Sequence, residues 1–509
     1  MAQNKLPDYI EGYGQVIPFA GAFNEALIKP GITKKYKLVK PGGKKLRDSL
    51  EDLMVELALK DGMTFSFHHH LRNGDFVLNL VMAEVQKLGL KNIRVAASSL
   101  FPCHAPLVPM MEDGTVTDIH ADYISGPVAE AISRGRLKNP AVLTSHGGRP
   151  RAIAEGDLKI DVAFIAAPAA DPYGNINGVS GPSACGALGY AIADAAYADV
   201  VVAVTDHLED FPLVPAEIRQ NEVDYVLKVD SIGDPKGIVS GTTCVTRDPI
   251  GLKIAQDTLK VMVASELVKD GVSFQTGAGG ISLAVAQELE EYMEDRSLEG
   301  SFASGGITGA IVRMMEKGLF KALLDVQCFD LEAVRSYREN ATHLSMSGDL
   351  YGNPHNKGAA VNKLDIVILG ATEVDLDFNV NVTTGSSGII MGGSGGHADT
   401  AAGARLTIIV SKLVSSRIPL IRDRVTTITT PGETVDVIVT DRGIAVNEER
   451  PELKEQLEKA GLKVLPIAEL KAMAERLTGS PRPIARGERI VAVSEYRDGS
   501  VLDVIREVL

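Results

Sequence analysis

Continuous apolar runs alternate along the chain with amphipathic segments. The runs that are rich in β-branched residues and bounded by turn residues predict buried strands at residues 93–98, 162–167, 200–204, 364–370 and 406–410. Such runs are typical of parallel strands that are covered on both faces of a sheet. Helical spacing is found over residues 46–60 and over residues 254–269, where the helix opens after Asp248 and Pro249. Strands that alternate with helices predict an α/β fold.

Three sequence blocks occur twice, in the same order, in the two halves of the chain. The pairs are KDGMTF and KDGVSF, DVAFIAAPAADPYGNIN and DIVILGATEVDLDFNVN, and ADVVVAVT and ARLTIIVS. We therefore predict two tandem homologous α/β domains, residues 46–240 and 241–509. Their boundary is predicted in the segment 233–241, which is rich in residues that end helices and strands.

The two ends of the chain lie outside the repeat. Residues 1–45, which are rich in Pro and Gly and include a basic run at 34–37, are predicted to form an N-terminal arm. From about residue 425, the strand patterns VDVIVT and IVAVSEY and a helical segment over 448–460 predict a small C-terminal α/β extension of the second domain.

Composition narrows the range of partners. The chain has 509 residues with 52 Lys and Arg against 66 Asp and Glu, a formal charge of −14, which argues against nucleic acid as a partner. No apolar run approaches the roughly 20 residues that cross a bilayer, and the first residues lack a signal-peptide core. We therefore expect a cytoplasmic protein without membrane association.

The four cysteines, Cys103, Cys185, Cys244 and Cys328, form no C-x-x-C pair, so neither a zinc ribbon nor a disulfide framework is predicted.

Three glycine-rich or histidine-rich segments are candidates for a ligand site. These are residues 65–74, which contain three consecutive histidines, residues 302–309, predicted as a turn that follows a strand, and residues 385–397, where glycine is densest. In open α/β sheets, ligands bind beyond the carboxyl ends of the strands, where such turns expose backbone N–H groups. None of the three contains a Walker A loop or a dinucleotide-binding G-x-G-x-x-G motif in its required context.

Several long motifs give the chain a family resemblance. DGMTFSFHHHLRNGD, HADYISGPVAEAISRG, GGSGGHADTAAGA and the terminal IVAVSEYRDGSVLDVIREVL resemble the α subunits of bacterial citrate lyases, and the resemblance covers nearly the whole chain. It implies a transferase that exchanges acetyl for citryl on the thiol of an acyl carrier protein, with citrate and an acetyl thioester as substrates. It also implies a hetero-oligomeric complex, itself containing several copies of this chain, with the carrier protein and a citryl lyase β subunit. The CoA-like prosthetic group would belong to the carrier protein, and this chain would hold no cofactor of its own.

The wider resemblance is to CoA-transferases, and it singles out Ser304. Many of those enzymes carry a Ser-Glu-Asn-Gly-Ile-x-Gly loop whose glutamate is the nucleophile, whereas this sequence reads Ala-Ser-Gly-Gly-Ile-Thr-Gly from residue 303. Ser304 thus replaces the glutamate, which predicts direct attack of a citrate carboxylate on the acetyl thioester without a covalent enzyme intermediate. Backbone N–H groups of Gly305 and Gly306 are predicted to stabilise the tetrahedral oxyanions.

The histidine run and the glycine-dense segment supply the remaining predicted site residues. His68, His69, His70 and Arg72 are predicted to bind substrate carboxylates, since a strand would place His68 and His70 on one face and His69 on the other. The glycines predicted to contact the CoA-like arm are Gly388, Gly392, Gly393, Gly395 and Gly396. No metal site is predicted.

Structural alternatives stay open for each of these residues. The histidines could cap a turn, or less readily hold a metal, and Ser304 is favoured as a small residue that leaves space rather than a nucleophile. The glycines could be a packing turn, and His397 with Asp399 could be an acid–base pair, although a helix-capping role is favoured. Structural turns are expected at asparagines repeated in both halves, namely Asn175, Asn177, Asn379 and Asn381. Cys103 and Cys185 are expected to be inert.

Three alternative functions also stay open. A citramalate CoA-transferase would use a substrate that differs by one substituent. An acyl-CoA hydrolase would release acetate without citrate. A non-catalytic assembly scaffold would also be compatible with the missing glutamate.

Overall fold

The computed structural model describes residues 5–33, 41–239, 245–481 and 483–509. The basic run at 34–37, Cys244 and the predicted domain boundary at 240 and 241 lie outside these ranges. We call the described residues up to 239 the first half and residues 245–481 the second half.

The first half consists of short strands separated by helices. Its strands are β1 (Tyr9–Ile10), β2 (Gly14–Gln15), β3 (Leu46–Arg47), β4 (Thr64–Phe67), β5 (Ile93–Ala97), β6 (Val116–Ala121), β7 (Ala141–Leu143), β8 (Val162–Ala166), β9 (Ala169–Ala170), β10 (Ile176–Asn177), β11 (Val200–Thr205) and β12 (Tyr225–Lys228). Its α-helices are α1 (Leu50–Glu56), α2 (Val77–Lys87), α3 (Leu107–Glu112), α4 (Pro127–Ser133), α5 (Gly148–Ala154) and α6 (Ala191–Tyr197).

The second half repeats this alternation. Its strands are β13 (Ser273–Thr276), β14 (Gly300–Ile307), β15 (Phe320–Cys328), β16 (His343–Ser345), β17 (Ile366–Gly370), β18 (Glu373–Asp375), β19 (Val380–Asn381), β20 (Leu406–Val410), β21 (Val414–Ser415), β22 (Ile418–Pro419), β23 (Ile421–Arg422), β24 (Val437–Val439) and β25 (Ile444–Val446), and the C-terminal strands are β26 (Arg486–Glu495) and β27 (Val501–Val508). Its helices are α7 (Pro249–Ala264), α8 (Gly280–Arg296), α9 (Gly309–Glu316), α10 (Leu331–Glu339), α11 (Gly348–Gly352), α12 (His397–Gly403), α13 (Pro451–Lys459) and α14 (Ile467–Thr478). Single 3₁₀ turns lie at Glu25–Leu27, Arg72–Gly74, Pro102–His104, Gln220–Glu222, Pro235–Ile238, Ala360–Lys363 and Gly432–Thr434.

Both halves are built on parallel sheets with the same strand order. The first sheet contains the series β7-β6-β5-β4-β8-β11-β12, and the second contains β16-β15-β14-β13-β17-β20-β24. One hydrogen bond is also repeated, because the backbone N–H of Thr64 donates to Asp161 (2.8 Å) and that of Ser273 donates to Asp365 (3.0 Å). The predicted α/β fold is confirmed, and the repeated strand order agrees with the two sequence copies.

The repeated asparagines form equivalent turns. The members of these turns are Asp171, Asn175 and Asn177 in the first half and Asp375, Asn379 and Asn381 in the second. In both turns the aspartate and the second asparagine each accept hydrogen bonds from at least two backbone N–H groups. The first asparagine donates its amide to the aspartate, at 2.7 Å and 3.2 Å. The predicted structural role of these residues is therefore confirmed.

The C-terminal extension is divided between the two halves, which differs from the prediction. Strand β26 pairs in parallel with β7 of the first sheet, and β27 pairs antiparallel with β26. Helix α14 instead packs its buried Leu470 and Ala474 on the second half. The prediction that residues 241–509 form one domain is wrong for the last strands, because an open strand edge selects its partner by backbone pairing and not by nearness in sequence.

Three predicted elements have different bounds in the structure. The predicted helix over 46–60 is α1, which begins after Ser49, whose Oγ accepts the N–H of Asp52 (3.1 Å), while the preceding residues form β3. The predicted helix over 254–269 is α7, capped by Asp248. The predicted turn over 302–309 is mostly strand β14, with a register shift between Gly305 and Gly306.

The two halves pack directly on each other. Buried side chains of both contribute to one continuous hydrophobic core. At Gly186 the approach is so close that a Cβ atom would lie 2.2 Å from Cys328 Sγ of the other half. Across the residues that the structure describes, no helix combines the length and apolar composition needed to cross a membrane.

Candidate active site

Two of the three predicted site segments, residues 65–74 and 302–309, meet where the halves join. The Nε2 amide of Gln327, at the end of β15, donates to the backbone oxygen of His69 (2.9 Å). Gln327 is also the register partner of Gly306. The carboxyl ends of β4 in the first sheet and of β14 and β15 in the second therefore face each other, which is where parallel α/β sheets bind ligands.

His69 is the histidine of the run that lies among the rings at this junction. The strand ends at Phe67, and the His69 ring stacks on Tyr190 with 5.0 Å between centroids and lies 5.9 Å from Phe101. Its Nδ1 is 2.5 Å from Ser98 Oγ. Burial, and then the nearby positive groups, lower the pKa of His69 well below its usual value. The ring is therefore a neutral hydrogen-bonding group.

His68 and His70 lie on the other side of the segment. Their rings stack on each other at 5.7 Å, and both side chains are buried. Neither ring has a hydrogen-bond partner among the described residues, and His68 Nδ1 is 3.9 Å from Asp194, which is paired with Arg149. Burial lowers the pKa of His68 to about 4. His68 and His70 thus lie on the opposite side from His69, and their substrate-binding role stays a prediction.

Arg72 presents a partly buried positive charge to the junction. Its guanidinium lies 4.7 Å from the centroid of the Phe329 ring and 5.5 Å from that of Phe101. Its Nη1 is buried and has no hydrogen-bond partner among the described residues, and burial lowers its pKa. The backbone of Arg72 has a positive φ of 51°. Because a buried cation is costly unless an anion or acceptor pairs with it, the group is suited to binding a carboxylate.

Ser304 and the glycines that follow it are tightly packed. Ser304 is 3% exposed and donates to Oε1 of Gln275 (3.0 Å), whose amide in turn donates to the hydroxyl of Tyr351 (2.8 Å). Within the described part of the chain, no imidazole or carboxylate bonds the Ser304 hydroxyl, so nothing there activates it as a nucleophile. A Cβ atom at Gly306 would lie 2.2 Å from the Phe329 ring, so only glycine lets that ring approach Arg72.

The glycine-dense segment forms a seam against the first half. Gly392 accepts the N–H of Ile124 (3.2 Å), Gly395 donates to the backbone oxygen of Asp122 (3.1 Å), and His146 donates its N–H to Gly395 (2.8 Å). Cβ atoms at the seam glycines would meet backbone or ring atoms of neighbouring residues, as they would at Gly393 and Gly396. This close packing explains why glycine occupies these positions.

Gly388 lies apart from the seam. A Cβ atom at this position would lie within about 3.2 Å of Ile484 and Val508. These distances do not test contact with the CoA-like arm. The arm-binding role of Gly388 and of the seam glycines therefore stays a prediction.

His397 and Asp399 are neither an acid–base pair nor helix caps. Helix α12 begins after Gly396 without a side-chain cap. His397 bonds Thr430 and the backbone oxygen of Gly370, at 2.7 Å and 2.9 Å. Asp399 reaches across to the first half, where it accepts from Ser145 and Gly147. The capping prediction was wrong because His397 bonds other residues of the second half and Asp399 bonds the first half.

The sequence reasoning missed a histidine–aspartate pair at the same edge. Asp122 directly follows β6 and His146 follows β7, and His146 Nδ1 lies 2.9 Å from Asp122 Oδ2. The ring of His146 is 4.4 Å from Tyr190 and 6.0 Å from His69. A sequence pattern was available for His146. Ser-His-Gly-Gly at the start of α5 resembles Ser-Gly-Gly-His at the start of α12, since each has a glycine pair next to a histidine.

One side-chain cluster in the described residues has the spacing of metal ligands. It consists of Asp325, Cys328 and His343, all buried. Asp325 Oδ2 accepts from Cys328 (3.0 Å) and lies 3.1 Å from His343 Nε2, so these atoms form a hydrogen-bonded network. Burial raises the pKa of Cys328 and of Cys185 well above the usual thiol value, which agrees with the prediction that Cys185 is inert. Cys103 lies with its Sγ 3.7 Å from the backbone oxygen of Arg72.

Comparison with known proteins gives the family. A family model described as citrate lyase, alpha subunit, matches residues 43–508. The citrate lyase alpha chain of Escherichia coli (strain K12) is 49% identical over 473 residues, 93% of each protein. A crystal structure described as the alpha subunit of citrate lyase from Streptococcus mutans in complex with citrate is 46% identical, with a TM-score of 0.96 over 100% of this chain and 99% of that one. A 4-hydroxybutyrate CoA-transferase from Porphyromonas gingivalis is 19% identical, with a TM-score of 0.54 over 85% of this chain and 97% of its own, which shows a shared fold alone.

Proposed function

The chain belongs to the citrate lyase alpha subunit family, and from this membership we propose that it moves a carrier-protein thiol from an acetyl to a citryl group. The overall reaction converts acetyl carrier protein and citrate into citryl carrier protein and acetate. The expectation of a transferase of this family is confirmed.

The observation that carries the proposal is the guanidinium of Arg72, whose Nη1 has no hydrogen-bond partner among the described residues. Citrate brings three carboxylates, and at least one must be held while another attacks the thioester. Arg72 offers a planar cation with a buried, unpartnered Nη1, and the neutral ring of His69 is beside it. The relative from Streptococcus mutans is described in complex with citrate, which supports citrate as the substrate.

The proposed mechanism is direct attack by the substrate. A citrate carboxylate attacks the acetyl thioester, the thiolate leaves, and an acetyl–citryl anhydride forms. The thiolate then attacks the citryl carbonyl and acetate leaves. Ser304 supports this route, because its hydroxyl donates to Gln275 and no carboxylate of the described residues bonds it. Holding both reactants in one site can supply an effective molarity on the order of 10⁵–10⁸ M.

The tetrahedral oxyanion of each step needs hydrogen-bond donors that point towards it. Gly305 and Gly306 lie at the register shift of β14, and a bulge interrupts the regular pairing of backbone groups. We assign their N–H groups as the oxyanion donors, each of which contributes about 10²–10³ in rate in comparable sites.

The partners follow from the family and belong to the proposal. The chain would act on an acyl carrier protein that bears a CoA-like prosthetic group, would pass citryl thioester to a citryl lyase β subunit, and would be present in several copies in the complex. The glycines assigned to the arm are Gly388, Gly392, Gly393, Gly395 and Gly396.

The purified chain with citrate and acetyl-CoA tests the function. Citryl-CoA and acetate should form in equal amounts, and rapid quenching should trap no acyl or CoA ester on the protein. Acetate release without citrate would indicate a hydrolase, and a higher kcat/KM with citramalate would indicate that substrate. No product at high protein concentration would indicate a scaffold. A covalent adduct would refute direct attack while leaving the transferase function intact.

A further inference from the structure

The pair formed by His146 and Asp122 has the geometry of a proton-transfer pair. The Asp122 carboxyl is fully buried, whereas the His146 side chain is 11% exposed. A carboxylate can only accept a hydrogen bond, so the 2.9 Å contact places the proton of the neutral ring on Nδ1. Nε2 is then left with a free lone pair, and it has no hydrogen-bond partner among the described residues.

The surroundings fix the ring at the junction. Tyr190 covers one side at 4.4 Å, and His69 lies 6.0 Å away in a nearly parallel plane. The seam of the second half passes beside Nε2, since a Cβ atom at Gly395 would lie 3.4 Å from it. The free nitrogen therefore lies between the two halves, in the ring cluster that also contains His69.

The other histidines that lie near carboxylates are not part of this ring cluster. His355 is the most similar, because its Nδ1 pairs with Glu155, but no ring contact joins it to His69, His146 or Tyr190 among the described residues. His104 and His343 use both ring nitrogens in hydrogen bonds, each with one buried aspartate. His207 pairs with Glu209 at 3.4 Å, but it is 42% exposed and lies outside the ring cluster of the junction. His146 combines an aspartate on one nitrogen, a free second nitrogen and a place in the predicted transfer site.

We propose that His146, oriented by Asp122, carries the proton of the carrier thiol during the transfer. This inference rests on the proposed function. The ring enters the cycle as the imidazolium, after its free Nε2 has taken a proton from water. When the citrate carboxylate forms its C–O bond and the C–S bond breaks, the imidazolium gives this Nε2 proton to the leaving sulfur, which yields a neutral thiol and a neutral ring. The ring takes that proton back as the sulfur attacks the citryl carbonyl and the C–O bond to acetate breaks. No proton is gained or lost over the cycle.

The buried aspartate suits this cycle. It stabilises the imidazolium without exchanging protons with solvent, as the carboxylate of a serine–histidine–aspartate triad does. General acid–base catalysis of this kind contributes about 10²–10⁴ in rate. A thiol needs this help because an aliphatic thiolate is a poorer leaving group than the acetate that leaves in the second step.

The test compares His146→Gln and Asp122→Asn with the control His207→Gln, an exposed histidine outside the site. Citryl-CoA formation from citrate and acetyl-CoA is measured with citrate KM and the thermal midpoint. We expect kcat to fall by about 10²-fold or more in His146→Gln and about 10-fold or more in Asp122→Asn. Citrate KM should stay within about threefold and the midpoint should be preserved, and the control should equal the parent.

Two further readouts separate proton transfer from a structural role. An acetyl thioester of an acidic aromatic thiol leaves without protonation, so with this substrate His146→Gln should recover most of its lost rate. In His146→Gln, the pH profile of kcat should lose the limb that reflects the titration of this ring. The charged or titratable groups that face His146 are Asp122, His69, Tyr190 and Asp399. Burial lowers the pKa of His69 and raises that of Tyr190 far from neutrality, so neither would supply the missing limb.

The outcomes are distinguishable. An unchanged kcat in His146→Gln would overturn the inference, and so would an equal loss with both thioesters, or loss of the fold in both variants. If the parent chain makes no citryl-CoA, the proposed function fails first. If the parent is active and His146→Gln is equally active, the function stands and only the inference fails.

Discussion

Replacing Arg72 by Gln should change the free protein and the citrate complex in opposite ways. In the free protein, the guanidinium is partly desolvated and has no carboxylate partner among the described residues, so its removal relieves a desolvation cost. The lost contacts with Phe329 and Phe101 are worth about 0.5–2 kcal/mol each. These effects nearly cancel, and the unfolding free energy without citrate should change by about 1 kcal/mol or less.

The citrate complex should lose much more. A charge-assisted hydrogen bond contributes about 1.5–3 kcal/mol, which raises the Kd for citrate about 10-fold to 150-fold. At 100 times the parent Kd, citrate stabilises the parent by about 2.7 kcal/mol. A variant with a 30-fold higher Kd would gain only about 0.9 kcal/mol under the same conditions.

Thermal unfolding with and without citrate measures both quantities. The matched control is Arg47→Gln, because Arg47 also lies over a ring, that of Tyr225 at 5.0 Å, but it is paired with Glu56 on the surface. The control should keep the full citrate shift and lose at most about 1 kcal/mol of stability. If Arg72→Gln keeps the parent's citrate shift, or destabilises the free protein by more than about 3 kcal/mol, the assignment of Arg72 as the carboxylate binder is wrong.

Three further substitutions test other parts of the site and of the joint between the halves. Ser304→Ala removes a single hydrogen bond to Gln275 and should lower kcat less than about fivefold, whereas a loss of about 10⁴-fold in a kinetic assay would reveal a nucleophile. Gly306→Ala would push the Phe329 ring from its place, so kcat should fall about 10²-fold and denaturant unfolding should show a loss of about 1–3 kcal/mol. Burial raises the pKa of Glu217 from 4.5 to about 7, so the folded protein holds a proton that the unfolded chain has released, and stability should fall as pH rises from about 4.5 to about 7. Glu217→Gln should remove up to about 3 kcal/mol of that fall, measured as unfolding free energy against pH.

Much of the fold follows from local pattern. The predicted strands at 93–98, 162–167, 200–204, 364–370 and 406–410 correspond to β5, β8, β11, β17 and β20, because buried parallel strands must be apolar on both faces. The placement of β26 does not follow from pattern. Its pairing with β7 depends on which sheet edge is open in the folded protein, and its own residues carry no information about that edge.

The site was predictable in part for a similar reason. Segments containing His69, Arg72 and Gly306 were found because their composition is unusual. Their contact across the halves depends on packing between residues more than two hundred positions apart, such as His69 and Gln327. His146 was missed because the resemblance of residues 145–148 to residues 394–397 does not identify a partner for its ring. It becomes informative only when the adjacent ends of β6 and β7 bring Asp122 to 2.9 Å.

Only one of the two equivalent turns carries candidate site residues. Strands β4 and β13 are equivalent in their sheets, and both fix the same backbone bond to an aspartate. Beyond β4 the chain places His69 and Arg72, whereas beyond β13 it continues as Gly277, Ala278 and Gly279. One half therefore supplies bulky hydrogen-bonding groups where the other supplies only backbone. The proposed function uses His69 and Arg72 of the first half together with Gly305 and Gly306 of the second, so the proposed transfer site requires both halves even though each has a sheet of its own.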